Sequence, residues 1–164
     1  MTRSYLGYVS SQTTSLLPSA ATLNVDFLLV GGGGSGCNPS TTNRGGGGGG
    51  GGGFVTGSGI IGKTTYTIKV GAGGSGGTYL SNSGTASSFI SSANGGGGAN
   101  TLPGVGQNGG SGAGGTGGAN GGNGTSGEGN NGGNSTSTAG GGGGGSSNAN
   151  SGAGGDGRIE VYVW

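Results

Sequence analysis

Glycine at every third position is the feature that most constrains this chain. Between Gly106 and Gly129 the triplet repeat runs without a miss, and its first positions are Gly106, Gly109, Gly112, Gly115, Gly118, Gly121, Gly124 and Gly127. A period of three is that of the polyproline II helix, which rises about 3.1 Å per residue and has no internal hydrogen bonds. Because the stretch contains no proline, it favours polyglycine II helices that bond sideways to one another over a collagen helix.

The composition leaves little material for an ordinary hydrophobic core. The chain of 164 residues contains 54 glycines, and only 26% of its residues are hydrophobic. Glycine loses more backbone entropy on ordering than any other residue, and fixing an ordinary residue costs roughly 1–2 kcal/mol. Backbone N–H and C=O groups that pair between neighbouring segments must offset this cost. Weak Cα–H···O contacts add to the stabilisation. The sequence therefore predicts direct packing of backbones, which only glycine allows.

Alternating apolar residues predict strands at both ends of the glycine-rich region. In residues 23–30 (LNVDFLLV) nearly every second residue is apolar, and residues 158–164 (RIEVYVW) alternate in the same way. A hairpin is predicted over residues 54–70, with its turn at Gly62-Lys63, and a short strand over residues 85–93. Pairing of the first strand with the last would close off the glycine region between them. No stretch has the pattern of an amphipathic helix.

These patterns predict an all-β, irregular fold: a small β-sheet plus a bundle, or sandwich, of polyglycine II helices, with essentially no α-helix. As a single rod, the triplet stretch would extend about 74 Å at 3.1 Å per residue. We therefore expect shorter rods, with turns near Asn120 to Asn123. Residues 1–22 are glycine-poor and bear aromatic side chains, and we interpret them as an amino-terminal arm or docking segment. Residues 23–164 form the glycine-rich domain.

Charge and cysteine content exclude several classes of function. Five Lys or Arg residues and four Asp or Glu residues give a net charge of +1, and histidine is absent. The sequence thus lacks the basic stripe that binds nucleic-acid phosphates. Cys37 is the only cysteine, which excludes an intrachain disulfide framework or a cysteine metal cluster. We expect no cofactor, no metal site and no nucleic-acid partner.

The sequence also argues against membrane insertion and secretion. No apolar run approaches the length of a membrane span. Near the amino terminus, serines and threonines interrupt any apolar region of the kind that a signal peptide requires. We therefore expect neither membrane insertion nor a cleaved secretory signal.

One stretch matches a nucleotide-binding motif letter for letter. Residues 57–64 satisfy G-x-x-x-x-G-K-[ST], and residues 71–76 are similar to a dinucleotide fingerprint. A phosphate loop must lie between a strand and a helix whose amino terminus holds the phosphate. The first stretch runs instead into TTYTIKV, which favours a strand, and no helix follows the second. Since the four acidic residues are also scattered along the chain, we expect neither nucleotide binding nor enzyme activity.

The order of the sequence blocks resembles a known family. The blocks are FLLVGGGGSG, a long glycine run, FVTGSGII, TYTIKVGAGGSGG, GTASSFISSANGGGG and a glycine tract that ends in GAGGDGRIEVYVW. Over residues 23–164 they resemble the glycine-rich domain of tailed-bacteriophage tail-fibre and adhesin (receptor-binding) proteins. In the adhesins of T-even-type phages, similar segments form a sandwich of polyglycine II helices whose variable edge loops contact the bacterial receptor. The resemblance implies a virion protein, made in the host cytoplasm, that recognises the host surface.

Under this resemblance, the candidate receptor contacts are the bulky or polar residues that interrupt the glycine rods. They are Asn38 and Arg44 in the first loop, Tyr79 and Leu80 in the second, Leu102 and Val105 in the third, and Asn130, Asn131 and Asn134 in the fourth. Tyrosine and arginine suit binding because they combine a large contact area with a polar tip. For each residue, the alternative role is loop structure or a cap over the end of the bundle.

The resemblance also sets the expected partners. We expect a host cell-surface receptor at the loops and other virion fibre or tail proteins at residues 1–22, and we also consider a homo-oligomer. The adhesins carry a larger amino-terminal domain than the segment of about 22 residues here, which favours self-assembly or decoration of another virion part over docking onto a fibre tip. Two alternatives stay open: a purely structural virion, fibre or filament subunit without receptor binding and, ranked lower, an ice-binding protein.

Overall fold

The computed structural model describes residues 22–38, 45–77, 81–100, 103–136, 141 and 157–163. In this part of the chain there are strands, turns and irregular segments, but no helix. The strands are β1 (Thr22–Val30), β2 (Phe54–Gly62), β3 (Ser87–Ser88), β4 (Ser92–Ala93) and β5 (Arg158–Val163). The predicted combination of a small β-sheet with no α-helix is confirmed for the described residues.

The first and last strands pair, as the sequence predicts. The main sheet has the order β2-β1-β5, and both neighbours of β1 run antiparallel to it. Val25, Phe27 and Leu29 on β1 are buried, whereas the residues between them are partly exposed. This alternation arises because successive side chains of a strand point to opposite faces of the sheet. The pairing of β5 with β1 joins the two ends of the glycine-rich region in one sheet.

The inner face of the main sheet carries the ordinary hydrophobic core. Its buried members are Phe27, Leu29 and Ala93. The partly buried residues that pack against them are Val55, Phe89, Ile159 and Val161. Phe27 and Phe89 meet edge to face with their ring centroids 6.3 Å apart, an arrangement that aromatic pairs prefer. Because Ala93 belongs to β4, the small hairpin of β3 and β4 covers part of this face.

The second half of the predicted hairpin is wrong. β2 pairs with β1 along its whole length, and residues 65–70 form no strand. The hydroxyl of Tyr66 instead accepts a hydrogen bond from the Gly62 amide at 3.0 Å, and the Tyr66 ring packs against Phe89 with a centroid distance of 5.7 Å. Tertiary packing of Tyr66 therefore overrides the alternating pattern of TTYTIKV.

The predicted single strand over residues 85–93 is also wrong, because a turn divides it. The amide of Phe89 donates to the carbonyl oxygen of Ser91 at 3.0 Å, which reverses the chain between β3 and β4. The two short strands then pair antiparallel with each other. The turn places Phe89 against Phe27 in the core, so the apolar residue that suggested a strand belongs to the turn instead.

The glycine-rich segments hydrogen-bond to one another in steps of three residues. Segment 31–38 continues from β1 and runs antiparallel to segment 45–53. Every third amide of the first segment donates to every third carbonyl oxygen of the second: Gly31 to Gly53, Gly34 to Gly50 and Cys37 to Gly47, at 2.9, 2.8 and 3.1 Å. A second row of amides, one position further along, donates to segment 81–86: Gly32 to Thr85 and Ser35 to Asn82, at 3.0 and 3.1 Å. Successive residues therefore bond to different neighbours.

The carbonyl groups of segment 31–38 follow the same spacing. Its acceptors for segment 94–100 are three residues apart: Gly32 accepts from Gly96 and Ser35 accepts from Ala99, at 2.8 and 3.0 Å. A helix with three residues per turn returns to the same side at every third residue, so the bonding period agrees with the period in the sequence. The polyglycine II conformation of each segment stays a prediction.

The hydrogen-bonded glycine segments, which we call the bundle, approach one another so closely that a side chain would not fit at many of the glycines. A methyl group added at Gly34 would lie closer than 3.0 Å to the carbonyl group of Gly97. Where alanine occurs instead, at Ala99 and Ala113, its side chain is fully buried, and the two alanines form a second small core with Cys37. Contact distance, rather than backbone flexibility, is therefore the reason for glycine at positions such as Gly34.

The triplet stretch from Gly106 to Gly129 is folded into shorter segments, as predicted. The chain turns at residues 117–118 and again around Gly127. Gly118 and Gly127 have positive φ angles of 87° and 80°, which glycine adopts without steric strain. Residues 120–123 themselves do not form a turn but lie in a hydrogen-bonded segment. The turns lie on either side of them, a few residues from the predicted position.

Candidate functional site

Residues that flank the first three predicted contact loops lie together at one end of the bundle. Cys37 forms a parallel bridge with Gly77, and its thiol donates to the carbonyl oxygen of Asn100 at 3.1 Å. The hydroxyl of Ser81 donates to the carbonyl oxygen of Gly36 at 2.9 Å. We call these five residues the loop end. The connecting residues, which lie outside the described part of the chain, are 39–44, 78–80 and 101–102.

The loop end lies at the opposite end of the domain from the sheet. β1 leads directly into segment 31–38, and Cys37 is near the far end of that segment. At the other end, Val25 of β1 is in register with Val163 of β5, so the described chain enters and leaves on the far side of the sheet. The fold therefore has two poles. The loop end lies at one of them, and the paired ends of β1 and β5 that carry Val25 and Val163, which we call the sheet pole, lie at the other.

Side-chain amides join the segments that carry the loop end. The Gln107 amide nitrogen Nε2 donates to the Ser81 carbonyl oxygen at 3.1 Å and to Asn100 Oδ1 at 3.0 Å. Ser83 Oγ donates to Gln107 Oε1 at 2.7 Å, and Asn100 Nδ2 donates to the Val105 carbonyl oxygen at 2.7 Å. A satisfied polar network of this kind makes its surroundings rigid. It therefore fixes the position of the second loop's anchor relative to the third.

Sequence reasoning missed the residues of this network. Gln107, Ser81, Ser83 and Asn100 are small or neutral polar residues in low-complexity surroundings, and such residues are common throughout the chain. One signal was available, because Gln107 is the only glutamine in the triplet stretch. A long side chain among glycines needs space and a partner, and both are found where the segments end.

Cys37 is buried within the loop end and is only 1% exposed. Burial raises the pKa of its thiol above the ordinary value of 9.0, and a hydrogen bond with the backbone of Gly47 acts in the opposite direction. The thiol is therefore protonated at neutral pH, so it can donate its hydrogen bond to the Asn100 carbonyl oxygen. It is not in the thiolate form, which is the reactive one. Among the described residues, no group of three or more His, Cys, Asp or Glu residues could hold a metal ion.

Asn38 and Val105 are the predicted contact residues that the structure describes at this pole. Asn38 is exposed and follows Cys37 directly. Val105 is 55% exposed, and its carbonyl oxygen accepts the bond from Asn100. Both side chains are thus accessible next to the loop end. The other candidates in the first three loops lie outside the described residues: Arg44, Tyr79, Leu80 and Leu102.

The fourth group of candidates lies along the outer side of the bundle. Asn131 Oδ1 accepts a hydrogen bond from the Gly124 amide at 2.8 Å, and Asn134 Oδ1 accepts one from the Gly121 amide at 3.0 Å. The carbonyl oxygen of Asn130 accepts from segment 111–116. All three asparagines are exposed, but their described hydrogen bonds connect glycine segments. The structure does not bring them together with the loop end.

The outer face of the sheet contains the acidic residues that pairing of the terminal strands brings near each other. Asp26 lies opposite Tyr162, and Glu160 lies opposite Leu28. Glu160 pairs with Arg158 and accepts a hydrogen bond from the Tyr162 hydroxyl at 3.0 Å, which raises the pKa of Tyr162. The Glu160 carboxylate is therefore engaged by its own strand rather than by Asp26.

A comparison with known protein families identifies the chain by its glycine-rich region. Residues 9–163 match the family described as a glycine-rich domain. The chain belongs to this family. The match covers the sheet and the bundle of this glycine-rich domain and begins within the segment predicted to be an arm. No curated protein matches the sequence. Within the described ranges, the domain contains no helix that is long and apolar enough to cross a membrane.

Proposed function

We propose that this glycine-rich domain is a virion protein of a tailed bacteriophage, a tail-fibre or tail-tip adhesin that recognises the host surface through the loops between its glycine segments. The observation that carries the proposal is the gathering of three loop anchors at the loop end, opposite the sheet pole. An adhesin benefits from this division because one pole attaches to the virion while the other reaches the host cell. Under the proposal, other fibre or tail proteins bind through residues 1–22.

Firm anchoring of the loops supports a recognition role. Binding residues often lie on loops that a rigid scaffold positions, and a surface with fixed supports loses less entropy when it binds. Here the Cys37–Asn100 bond connects the anchors of the first and third loops. The Gln107 network connects those of the second and third. The three loops thus start from one connected base.

The composition favours a receptor that is contacted through neutral groups. The net charge is only +1, so long-range electrostatic attraction contributes little to the encounter. Asn38 and Val105 present an amide and an apolar surface beside the loop end. Tyr79 and Arg44 offer the largest contact areas among the remaining candidates, and such side chains dominate many interfaces.

Binding of the purified protein to candidate host cells tests the proposal. We expect the protein to bind these cells and to block phage adsorption. Replacing Tyr79 or Leu102 by alanine should weaken binding about tenfold or more, as removal of an interface anchor does. Tyr162→Ala is the matched control, because Tyr162 is an exposed tyrosine on the sheet, away from the loop end. It should bind like the parent protein.

Other outcomes would favour the alternatives. Absence of cell binding, together with several copies per virion by mass spectrometry, would overturn receptor recognition and favour a structural virion subunit. Thermal hysteresis without cell binding would favour an ice-binding protein. Equal losses in the Tyr79→Ala and Tyr162→Ala variants would show that the loops are not the contact surface.

A further inference from the structure

Backbone carbonyl groups are the usual acceptors between the glycine segments. Segment 111–116 is buried throughout, whereas segments 119–124 and 129–136 on the outer side are largely exposed or partly exposed. In the buried segment, amides three residues apart donate to carbonyl oxygens of segment 129–136: Gly112 to Asn130 and Gly115 to Gly133, at 2.9 and 3.0 Å. A row of amides in this bundle is thus normally satisfied by a row of carbonyl groups.

One row of amides on the outer side is satisfied by side chains instead. Its members are again three residues apart: Gly118 donates to Ser135 Oγ, Gly121 to Asn134 Oδ1 and Gly124 to Asn131 Oδ1, at 2.9, 3.0 and 2.8 Å. The Gly118 amide also donates to the carbonyl oxygen of Thr136. In the adjacent row, the Asn123 amide donates to Asn108 Oδ1 at 2.7 Å. Side-chain oxygens therefore take the part that carbonyl groups of a further segment would play.

We propose that Asn108, Asn131 and Asn134, the asparagine caps, terminate the bundle at segment 119–124 and prevent a second copy of this chain from adding a glycine segment there. A row of unpaired amides is the bundle's equivalent of an open sheet edge, which natural proteins protect against association. Asparagine suits this role because its side chain is an amide, with an oxygen that accepts hydrogen bonds as a peptide carbonyl does.

The same two outer segments provide matched asparagines. Asn120, Asn123 and Asn130 are also exposed. Their described hydrogen bonds, however, are made by backbone groups rather than by their side chains. Replacing these three residues removes the same number of side-chain amides from the same surface and leaves the caps in place. The two sets of residues thus separate capping from a general effect of surface polarity.

Sedimentation and amide hydrogen exchange of the full chain test the proposal. The cap variant carries Asn108→Ala, Asn131→Ala and Asn134→Ala, and the control variant carries Asn120→Ala, Asn123→Ala and Asn130→Ala. We expect the cap variant to form dimers and larger species as its concentration rises. In dilute solution, exchange at the capped amides of Gly121 and Gly124 should become roughly tenfold faster, as loss of one hydrogen bond predicts. The control variant should keep the mass and the exchange rates of the parent.

A cap variant that stays at the parent's mass, or a control variant that associates equally, would overturn the proposal. If the triple variant does not fold, Asn134→Ala alone decides the question through the exchange rate of Gly121. That rate should rise in Asn134→Ala and return to the parent value in Asn134→Asp, which retains an acceptor oxygen. An unchanged rate in Asn134→Ala would show that Asn134 does not cap this amide.

Discussion

The sheet and the glycine bundle hold the chain together by opposite means. In the sheet, side chains such as Phe27 and Leu29 are removed from water, and each such burial stabilises the fold by roughly 1.5–3 kcal/mol. In the bundle, glycine predominates and the buried side chains are small, and backbone hydrogen bonds in steps of three, worth about 1 kcal/mol each, connect the segments. The sheet is therefore most sensitive to the removal of atoms, and the bundle to their addition.

The largest expected effect is that of a single methyl group in the bundle. Gly34→Ala would press its methyl group against the carbonyl group of Gly97, and neither backbone can move without breaking other bonds. Overpacking alone costs about 1–3 kcal/mol, and each broken backbone bond adds about 1 kcal/mol. We expect a loss of about 4 kcal/mol or more in the free energy of unfolding, measured by urea denaturation.

Gly62→Ala is the matched control for this substitution. Gly62 ends β2, and a methyl group added there would meet no atom within 4 Å. Because alanine restricts the unfolded chain, the variant should be as stable as the parent or up to about 1 kcal/mol more stable. Equal losses in Gly34→Ala and Gly62→Ala would remove the distinction between the two regions.

Removal of atoms from the sheet core should have the next largest effect. Phe27→Ala takes away a buried ring that packs against Phe89, and replacement of a buried phenylalanine by alanine typically costs about 3–5 kcal/mol. We expect a value near 3 kcal/mol, since Gly57 lies against the Phe27 ring and the site can partly collapse. Urea denaturation checks the value. A loss below about 1 kcal/mol would contradict a side-chain core in the sheet.

The junction between the two regions should respond less strongly. Glu128 accepts hydrogen bonds from Asn94 through both carboxylate oxygens, at 2.6 and 3.1 Å, and its carbonyl oxygen accepts from Phe54 at the start of β2. Glu128→Ala leaves the backbone amide and the side-chain amide of Asn94 without this acceptor. We expect a loss of about 1–2 kcal/mol in the free energy of unfolding. Glu128→Gln retains an acceptor oxygen and should lose less. Equal losses in both variants would show that the hydrogen bond does not stabilise the junction.

The smallest expected effect is a dependence on pH at the loop end. Because burial raises the pKa of Cys37 above 9.0, the unfolded thiol ionises before the folded one does. The contribution of Cys37 is therefore fully present below that ordinary value and is lost as the pH rises through the folded-state pKa. The stability difference between the parent and Cys37→Ala should shrink above about pH 9. A difference that is constant with pH would contradict a buried, protonated thiol.

The side-chain patterns predicted the sheet better than they predicted its surroundings. Alternation in β1 and β5 identified both strands, because buried side chains such as Val25 and Leu29 leave a period of two. Their positions at the two ends of the glycine region suggested that they pair. The same period in TTYTIKV was misleading. A sequence pattern indicates which face is apolar, but it does not say how far a partner strand extends. Here the pairing is limited to one bridge between Lys69 and Ser88, and Tyr66 packs on Phe89.

The bundle and the site were predictable only in part, for a related reason. The triplet period indicated segments bonded in steps of three, but glycines carry no side chain that would specify which segment is the neighbour. The gathering of the loop anchors at Cys37, Ser81 and Asn100 depends on that choice of neighbours, and so does the capping role of Asn131 and Asn134. From the sequence, a polar residue that interrupts glycine has the same appearance whether it is a loop contact or a cap.

Amide hydrogen exchange across the glycine segments tests the central claim most directly. If backbone bonds in steps of three hold the bundle, the amides of Gly31, Gly34 and Cys37 should exchange as slowly as those of β1, and the amide of Gly127 in its exposed turn should exchange fast. Rapid exchange at all glycines beside a protected sheet would contradict the account, because the glycine segments would then behave as a flexible coil.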